Sequence, residues 1–316
     1  MNSKSTNEGG IEGIYAGREK RETEPKIVLA FDVGATNIRA SVVQVGKEGA
    51  DILSREQAQT PIGDASKLLA LLVQMSSKLK LAAQKNGLTP VAVGVAFAGH
   101  FSVIEPGYLT FAGNMGLHQV NLQDPLEQEL RVPTHFINDV SAAAYAEAHD
   151  RKIESLATIF VGTGIGLGFI KDGQIVENTG DDSALTVVRG HNIFKSGGAP
   201  CPLGCDGCFQ SYLGGKALGL RAQAAGVASD ADGLLKAWRA GDQQARIIIE
   251  EAFDAMRALV KRIEVEFKPE KIAIGGTVIK NFPELMVVAS EVATVSESKV
   301  GDDAPLIGAA LIGAGL

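Results

Sequence analysis

The sequence has few cysteines and no long apolar run, and its acidic residues outnumber its basic ones. Three cysteines in 316 residues are an odd and small number for a scaffold held by disulfides. No apolar run reaches the roughly 20 residues that a membrane-spanning helix needs. A formal net charge of −7 argues against a surface for nucleic acid or anionic membrane. The composition therefore disfavours disulfide-rich, membrane and nucleic-acid-binding proteins.

The polar segment 1–25 lacks the apolar core of a secretory signal. We predict that it is a disordered tail and that the protein is cytoplasmic. The rest of the chain is long enough for two domains with substantial cores. With 45% hydrophobic and 21% charged residues, the composition is that of an ordinary globular protein.

Two stretches share one pattern, in which an apolar strand ends in a glycine turn and a second strand returns. The first spans 26–45 and the second 157–170, which suggests an internal duplication. The remaining periodicities predict strands at 52–59, 91–96, 133–137 and 271–274, and helices at 65–86, 141–148, 214–225, 231–240, 243–267 and 305–311. This order predicts an α/β protein of two lobes with a cleft between them.

All three cysteines lie within eight residues, and a histidine precedes the first by ten positions. The set is His191, Cys201, Cys205 and Cys208. Three thiolates and one imidazole suit tetrahedral zinc, and the glycines around them allow a tight fold. Four protein ligands leave no open position for substrate, so we predict a structural zinc ion. The alternative is three reduced cysteines without a metal.

Both glycine turns are candidates for phosphate binding. The first comprises Asp32, Gly34, Ala35, Thr36 and Asn37, whose N–H groups could face a phosphate while the carboxylate holds hydrated Mg²⁺. An ordinary hairpin turn is equally compatible with these residue types.

The second turn comprises Gly162, Thr163 and Gly164, and its glycines continue at alternate positions to Gly168. Such glycines leave one face of the strand without side chains, so that a phosphate could approach it. Glycines at these positions could equally serve close packing within the protein. The spacing fits neither the dinucleotide-binding fingerprint nor the P-loop.

Three further positions carry candidate chemistry. Asp139, after Asn138 at a strand-to-helix junction, could accept a proton from a substrate hydroxyl, although either residue could simply cap the helix. Gly275 and Gly276 follow an apolar strand and could expose bare backbone to adenosine, or merely enter a helix. Asn114, in an apolar loop, could bind a sugar hydroxyl or occupy a surface turn.

In this order the motifs resemble those of the ROK group of sugar kinases and regulators, within the actin/hexokinase/Hsp70 superfamily. The resemblance runs over residues 26–316 and covers both glycine turns, Ala98-Gly99, Asn114, Asn138-Asp139, Gly190-His191 with the cysteines, and Ile274-Gly275-Gly276.

The resemblance implies a two-lobed ribonuclease H-like fold and ATP-dependent, glucokinase-like phosphorylation of a hexose or hexose derivative. It assigns 26–137 plus 304–316 to a small lobe and 138–303 to a larger one, with a zinc loop at 190–210. It implies Asp139 as the general base and Mg²⁺ bridging the phosphates of ATP. The implied sugar contacts are Asn114, Asn138, Asp139, His191 and Gln210. The expected partners are the sugar and ATP, without nucleic acid or membrane, and a homodimer is left open.

The chain departs from the family pattern at three places. The family spaces its cysteines C-x-C-G-x-x-G-C, whereas Cys205 stands two places later here. Two glutamates that grip the sugar in the family are replaced by Val188 and Gln210, and Asp181 or Asp182 could substitute for one of them.

These departures keep two alternatives open, a kinase for a sugar other than glucose and a catalytically weak sugar-binding or regulatory protein. The repressors of the family carry an N-terminal helix-turn-helix domain. About 25 residues before the first strand are too few for that domain, so we do not expect DNA binding.

Overall fold

Two mixed β-sheets, each begun by an antiparallel hairpin, form the framework of the protein. The computed structural model describes residues 24–102, 104–176, 190–201 and 204–316. Most of the predicted tail lies outside these ranges, as do Val188 and the two aspartates at 181 and 182. Within these ranges, no helix combines the length and apolar character needed to cross a membrane.

The strands are β1 (Lys26–Val33), β2 (Asn37–Gly46), β3 (Gly49–Ile52), β4 (Glu56–Gln59), β5 (Pro90–Phe97), β6 (His100–Phe101), β7 (Tyr108–Ala112), β8 (Leu117–Asn121), β9 (Thr134–Asn138), β10 (Leu156–Val161), β11 (Ile165–Lys171), β12 (Gln174–Ile175), β13 (Lys271–Gly275) and β14 (Val295–Glu297). The helices are α1 (Ala65–Lys85), α2 (Gln123–Leu130), α3 (Asp139–Arg151), α4 (Phe209–Leu213), α5 (Gly215–Ala224), α6 (Ala231–Arg239), α7 (Gln243–Glu266), α8 (Thr277–Asn281), α9 (Glu284–Ser290) and α10 (Ala304–Gly313).

The two main sheets repeat one topology. The first has the order β3-β2-β1-β5-β9, with β4 also paired to β2, and the second has the order β12-β11-β10-β13-β14. In each sheet the first strand pairs antiparallel with the next strand and parallel with a later one. This repetition agrees with the duplication suggested by the two glycine-turn hairpins.

Helices cover both faces of this framework. The apolar stripe of α1, which includes Leu68 and Leu72, joins the core of the first sheet around Phe31. The longest helix, α7, joins the core of the second sheet through residues such as Ile249 and Leu259. These apolar faces account for the burial that holds each helix on its sheet.

The predicted single strand at 52–59 is wrong, because the structure divides it into β3 and β4. Both strands pair with β2, and the break falls at Leu53, Ser54 and Arg55. At the break the Ser54 hydroxyl accepts a hydrogen bond from the Val42 N–H at 3.1 Å. The Leu53 N–H still donates to the Val42 carbonyl at 2.8 Å, but a side chain replaces the backbone acceptor of the Val42 N–H, and regular strand pairing stops until Glu56.

A separate three-stranded sheet, β6-β7-β8, was not predicted. Its strands are two to five residues long, and the pattern of buried positions in β7 does not alternate strictly. Strands this short carry little periodic signal. The sheet supports the turn that contains Asn114.

Helices α3 and α10 lie between the two main sheets and approach each other at a glycine. A Cβ atom at Gly308 of α10 would lie 1.9 Å from the Ala142 carbonyl oxygen of α3. A Cβ atom at Gly94 of β5 would likewise lie 1.9 Å from the carbonyl oxygen of Ala309. Glycine at these two positions therefore permits a close contact that any side chain would block.

We predict that Gly308→Ala lowers the free energy of unfolding by ~1–3 kcal/mol, because the added methyl must displace α3. Urea-induced unfolding followed by circular dichroism measures this change. The matched control is Gly46→Ala, where a Cβ atom would meet only a Pro25 side-chain carbon at 4.0 Å. We expect a change within ~0.5 kcal/mol for the control. Equal stability of the two variants would contradict the packing argument.

Candidate active site

The carboxyl ends of β1, β5 and β9 meet at one edge of the first sheet. Strand register aligns Val33 with Phe97 and Phe97 with Asn138 across the three strands. Asp32 precedes the first of these residues and Asp139 follows the last. Since neighbouring strands lie about 4.8 Å apart, the two carboxylates share this edge at a backbone separation of roughly 10 Å.

Asp139 is the first residue of α3 and is partly buried. Burial and, to a smaller extent, the negative charge of Asp32 raise the pKa of its carboxyl to about 7. The Val140 N–H, which donates to Oδ1 of Asp139 at 2.9 Å, opposes this shift. A carboxyl with this pKa can take up and release a proton near neutral pH.

The carboxylate of Asp32 forms an ion pair with Arg39, a residue that was not predicted as part of the site. Nε of Arg39 donates to Oδ2 of Asp32 at 3.0 Å. Burial raises the pKa of Asp32, while the Arg39 guanidinium acts in the opposite direction. The hairpin register places Arg39 directly opposite Asp32, so the predicted turn contained the signal for this pair.

Asn138 caps α3, as the alternative interpretation of its position allowed. Its Oδ1 accepts from the N–H groups of Val140 and Ser141 at 3.0 and 3.1 Å. Its Nδ2 donates to the Gly99 carbonyl oxygen at 3.0 Å. The side chain thus joins the Gly99 turn to the helix that begins with Asp139, and its oxygen is occupied within the protein.

The first glycine turn connects β1 to β2 and is braced from the side. Gly34 N–H donates to the Asn37 carbonyl oxygen at 3.0 Å, and the Thr60 hydroxyl donates to the Gly34 carbonyl at 2.7 Å. Ala35 is half-buried, whereas Thr36 and Asn37 are exposed. The turn therefore has a fixed shape and an open outer side.

The second glycine turn connects β10 to β11 and contacts the start of α5. Gly162 N–H donates to the Gly164 carbonyl at 2.9 Å. The carbonyl oxygens of Gly162 and Thr163 accept from Gly215 and Lys216 at 2.8 and 3.1 Å. The N-terminus of α5 thereby fixes the turn.

The later glycines of this run serve packing within the protein. A Cβ atom at Gly166 would lie 2.6 Å from a Val140 methyl, and one at Gly168 would lie 2.7 Å from Cβ of Ala144. The bare face of β11 is therefore occupied by α3, which corrects the suggestion that a phosphate approaches there. The close packing that was considered as the alternative accounts for Gly166 and Gly168.

A cavity of about 220 Å³ links Asp139 to Gly275 and Gly276. Gly276 has φ of 104°, and a Cβ atom there would lie 2.4 Å from the Val161 carbonyl oxygen, so only glycine fits. The cavity is walled by apolar and polar groups from four segments, namely Asp139, Val140, Ala143, Phe160, Gly275, Gly276, Ile279, Lys280, Glu297, Ser298, Gly301, Asp302 and Pro305. The sequence predicted Asp139 and the two glycines as site residues but not the other walls, because those residues carry no motif.

Asn114 lies apart from this cavity. It occupies a single 3-10 turn, Gly113–Met115, between β7 and β8, and its side chain is exposed. It makes no hydrogen bond to any residue in the described part of the chain. The structure leaves its side chain available to a ligand but does not bring it into contact with Asp139.

The predicted metal ligands form one cluster. The donor atoms of His191, Cys201, Cys205 and Cys208 all lie within 4.8 Å of one another. Nδ1 of His191 lies 3.1, 3.6 and 3.8 Å from the sulfur atoms of Cys205, Cys201 and Cys208. A tetrahedron with Zn–S bonds of about 2.3 Å separates its ligands by roughly 3.8 Å. The shifted cysteine is therefore compatible with four-coordinate zinc.

The electrostatics of the cluster favour a cation. Burial and the neighbouring thiols raise the pKa of Cys205 to about 12, since several thiolates cannot be ionised side by side without compensation. Burial and His100 lower the pKa of His191, which keeps the imidazole neutral, as a metal ligand must be. Zinc bound by these four residues would hold the loop around them in place.

Gln210 connects the metal-ligand loop to the second glycine turn. Its Oε1 accepts from the Ile165 N–H at 3.3 Å, and its backbone N–H donates to the Gly190 carbonyl at 2.8 Å. The amide oxygen is thus engaged by the start of β11. The NH₂ group of the side chain can therefore donate a hydrogen bond to a ligand.

Comparison with known proteins identifies the family. The sequence model of the ROK family matches residues 28–314. The chain belongs to the ROK family. It is 28% identical over 299 residues to an N-acetylmannosamine kinase from Shigella flexneri, an alignment that covers 91% of this chain and 98% of that protein. The family prediction is therefore confirmed.

Solved structures of the family share the fold. A ROK hexokinase from Thermus thermophilus superposes with a TM-score of 0.77 at 24% identity, covering 91% of this chain and 98% of that one. A ROK glucokinase from Streptomyces griseus, solved with glucose and AMPPNP, gives a TM-score of 0.70 at 24% identity, covering 92% and 100%. The predicted two-lobed α/β fold with its small metal-ligand loop is confirmed.

We predict about one zinc ion per purified chain, and its loss in Cys205→Ser, because three remaining ligands hold zinc much more weakly. Inductively coupled plasma mass spectrometry measures the metal content. The matched control is His118→Ala, which removes an exposed histidine outside the cluster and should leave the zinc content unchanged. Full zinc content in Cys205→Ser would remove that residue from the ligand set.

Proposed function

We propose that this ROK-family protein is a sugar kinase that transfers the γ-phosphoryl group of ATP to a hydroxyl group of a hexose or hexose derivative. The observation that carries the proposal is the position of Asp139. This carboxyl, with a pKa of about 7, lines the same cavity as the bare backbone of Gly275 and Gly276. A proton acceptor and a recess with a bare glycine backbone therefore adjoin each other, an arrangement that suits phosphoryl transfer to an alcohol.

In the proposed reaction, Asp139 takes the proton of the acceptor hydroxyl while the oxygen attacks the γ-phosphorus and ADP departs. Adenosine is proposed to lie against Gly275 and Gly276, between the apolar side chains of Phe160 and Ile279. The turns at 34–37 and 162–164 are proposed to face the phosphates with backbone N–H groups. Catalysis then rests mainly on positioning and on stabilisation of negative charge.

Asp32 is proposed as a ligand of Mg²⁺, which prefers carboxylate oxygen ligands. Its negative charge contributes to the raised pKa of Asp139, so a divalent cation bound at Asp32 would favour the ionised form of both carboxylates. Mg²⁺ held there would neutralise charge on the phosphates. Arg39, which pairs with Asp32, supplies a second positive charge at this edge.

We also propose that residues 26–137 with 304–316 form one lobe and residues 138–303 the other. Helix α10 supports this division, since it packs on β1 and β5 of the first sheet although it ends the chain. Helix α3 touches both units, against α10 on one side and β11 on the other. Asp139 therefore stands where the two proposed lobes meet.

The acceptor is proposed to be a hexose altered near C1 and C2. Oε1 of Gln210 is already engaged by Ile165, so this side chain offers a hydrogen-bond donor where a glutamate would offer only acceptors. A donor suits the carbonyl oxygen of a 2-acetamido group. The name of the Shigella relative, an N-acetylmannosamine kinase, agrees with such an acceptor.

The other candidate is a sugar-binding or regulatory protein with weak catalysis. The replacements at Val188 and Gln210 favour it, because they remove both carboxylates expected at the sugar. An ATP-consumption assay over glucose, mannose and their 2-acetamido derivatives separates the two candidates. Turnover with none of these sugars, together with measurable sugar binding, would favour the regulatory protein.

We predict that Asp139→Asn lowers kcat by ~10²–10⁴-fold, because the amide cannot take the hydroxyl proton. A coupled assay of ADP release measures the change. In the unmodified protein, activity should fall as the pH drops below about 7, since protonation of Asp139 removes the base. That limb of the pH profile should be lost in the residual activity of the variant.

The matched control for this test is Asp150→Asn, an exposed carboxylate on the same helix. It should keep both kcat and the pH profile. Turnover of Asp139→Asn equal to that of the unmodified protein would show that another group serves as the base.

We predict that Val188→Glu combined with Gln210→Glu lowers KM for glucose by roughly 10- to 100-fold, the effect of a restored charge-assisted hydrogen bond. Steady-state kinetics with glucose at saturating ATP measures it. Gln223→Glu makes the same chemical change at an exposed position of α5 and should leave KM unchanged. Saturation of the unmodified enzyme by micromolar glucose, with no gain from both glutamates, would contradict this account of the sugar site.

A further inference from the structure

A buried carboxylate on α3, outside the site described so far, holds one wall of the cavity. Glu147 lies eight residues after Asp139, about two helical turns along the same helix. Its side chain is fully buried and forms an ion pair with Nε of Arg151 at 3.0 Å. Its oxygens also accept from the Ser298 hydroxyl and from the Val300 N–H at 2.9 Å.

The hydrogen bonds of Glu147 converge on one short segment, residues 297–300. The Lys299 N–H donates to its Oε2 at 3.2 Å, and Arg151 Nη2 donates to the Glu297 carbonyl oxygen at 2.6 Å. A buried charge is stable only when its hydrogen-bonding capacity is met, and here the carboxylate receives four donors. The segment from Glu297 to Val300 is therefore fixed to α3 by hydrogen bonds to a buried ion pair, in addition to the packing of Val300 against Ala143 and Ala146 of that helix.

The segment held in this way lies against the proposed adenosine site. Glu297, Ser298 and Gly301 line the cavity beside Gly275. Ser298 N–H donates to the Ile274 carbonyl at 2.9 Å, and a Cβ atom at Gly275 would lie 2.8 Å from Cβ of Ser298. A small displacement of Ser298 would alter the surface that Gly275 presents to the cavity.

We propose that Glu147, supported by Arg151, is a positioning residue for the nucleotide. By fixing residues 297–300 to α3, it sets the wall of the nucleotide cavity relative to Asp139 on the same helix. The proposal rests on the assignment of this cavity to ATP. It concerns the nucleotide and not the sugar, because within the described residues the polar side-chain contacts of Glu147 and Arg151 go to each other and to residues 297–300.

The test measures ATP binding by isothermal titration calorimetry, and KM and kcat for both substrates, in Glu147→Gln and Arg151→Lys. Each variant keeps the approximate side-chain volume and weakens the charged contact to residues 297–300. We expect Kd and KM for ATP to rise about 10-fold, the usual effect of losing one charge-assisted hydrogen bond. The acceptor KM should not change, and kcat at saturating ATP should change much less than KM.

Thermal denaturation and a third variant distinguish a role of Glu147 in positioning the nucleotide from a role in stability alone. Structural damage alone would lower Tm and leave the ATP affinity of the folded fraction unchanged, which would overturn the proposal. Ser298→Ala should weaken ATP binding in the unmodified background but add nothing in the Glu147→Gln background, since both act through one contact. Full additivity in this double-mutant cycle would also contradict the proposal.

The matched control is Glu266→Gln, which breaks the exposed Glu266–Arg262 pair of the same i,i+4 type on α7. It should leave both substrates unaffected. If Glu147→Gln fails to fold, Arg151→Lys alone tests the proposal. Arg151 is not among the residues that line the cavity, so it can affect ATP only through residues 297–300. An unchanged ATP affinity in Arg151→Lys would then overturn the proposal.

The same experiment distinguishes failure of the proposed function from failure of this inference. An unmodified protein that binds ATP but phosphorylates no sugar would contradict the kinase assignment, while the comparison of ATP affinities would still decide the role of Glu147. An unmodified protein that binds no ATP would overturn both.

Discussion

The close contact of α3 with α10 is the constraint on which the site depends. Both helices lie between the main sheets, and the contact is possible because Gly308 faces the backbone of Ala142 without a side chain. On its other side α3 packs into the bare face of β11 at Gly166 and Gly168. Small residues on three elements thus let α3 pack closely between the two sheets, so that Asp139 at its start borders the cavity at the carboxyl ends of β10 and β13. A larger side chain at any of these positions would displace α3.

This packing also sets the electrostatics of the proposed base. Asp139 begins the helix that is inserted between the sheets, so its carboxyl is partly removed from water and its pKa rises to about 7. Asp32 adds to that shift from the same sheet edge, and Arg39 holds Asp32 in place. The near-neutral pKa therefore follows from where the helix starts and from the neighbouring carboxylate of Asp32.

The sequence predicted most features whose signal lies within a few neighbouring residues. The two hairpins, their glycine turns and the cysteine and histidine cluster are of this kind, because turn chemistry and ligand type are local. Features that depend on distant segments could not be predicted. The purpose of Gly166 and Gly168 was visible only once α3 lay against them, and Ser54 interrupts a strand through a bond to Val42. Glu147 carries no motif, and its role arises from residues some 150 positions away.

Donor and acceptor positions in the proposed reaction depend on different parts of the protein. One helix, α3, carries the proposed base at its start and fixes the wall of the nucleotide cavity through Glu147, so these two are set by a single rigid element. The loop proposed to lie near the sugar is held separately, by the four clustered residues predicted to bind zinc and by the bonds of Gln210 to Ile165 and Gly190. If the proposed sites are right, replacements in that loop should change which sugar binds without moving the base or the nucleotide. The departure from the family pattern at Gln210 belongs to this separate part, which is why it alters the expected acceptor and leaves the expected chemistry intact.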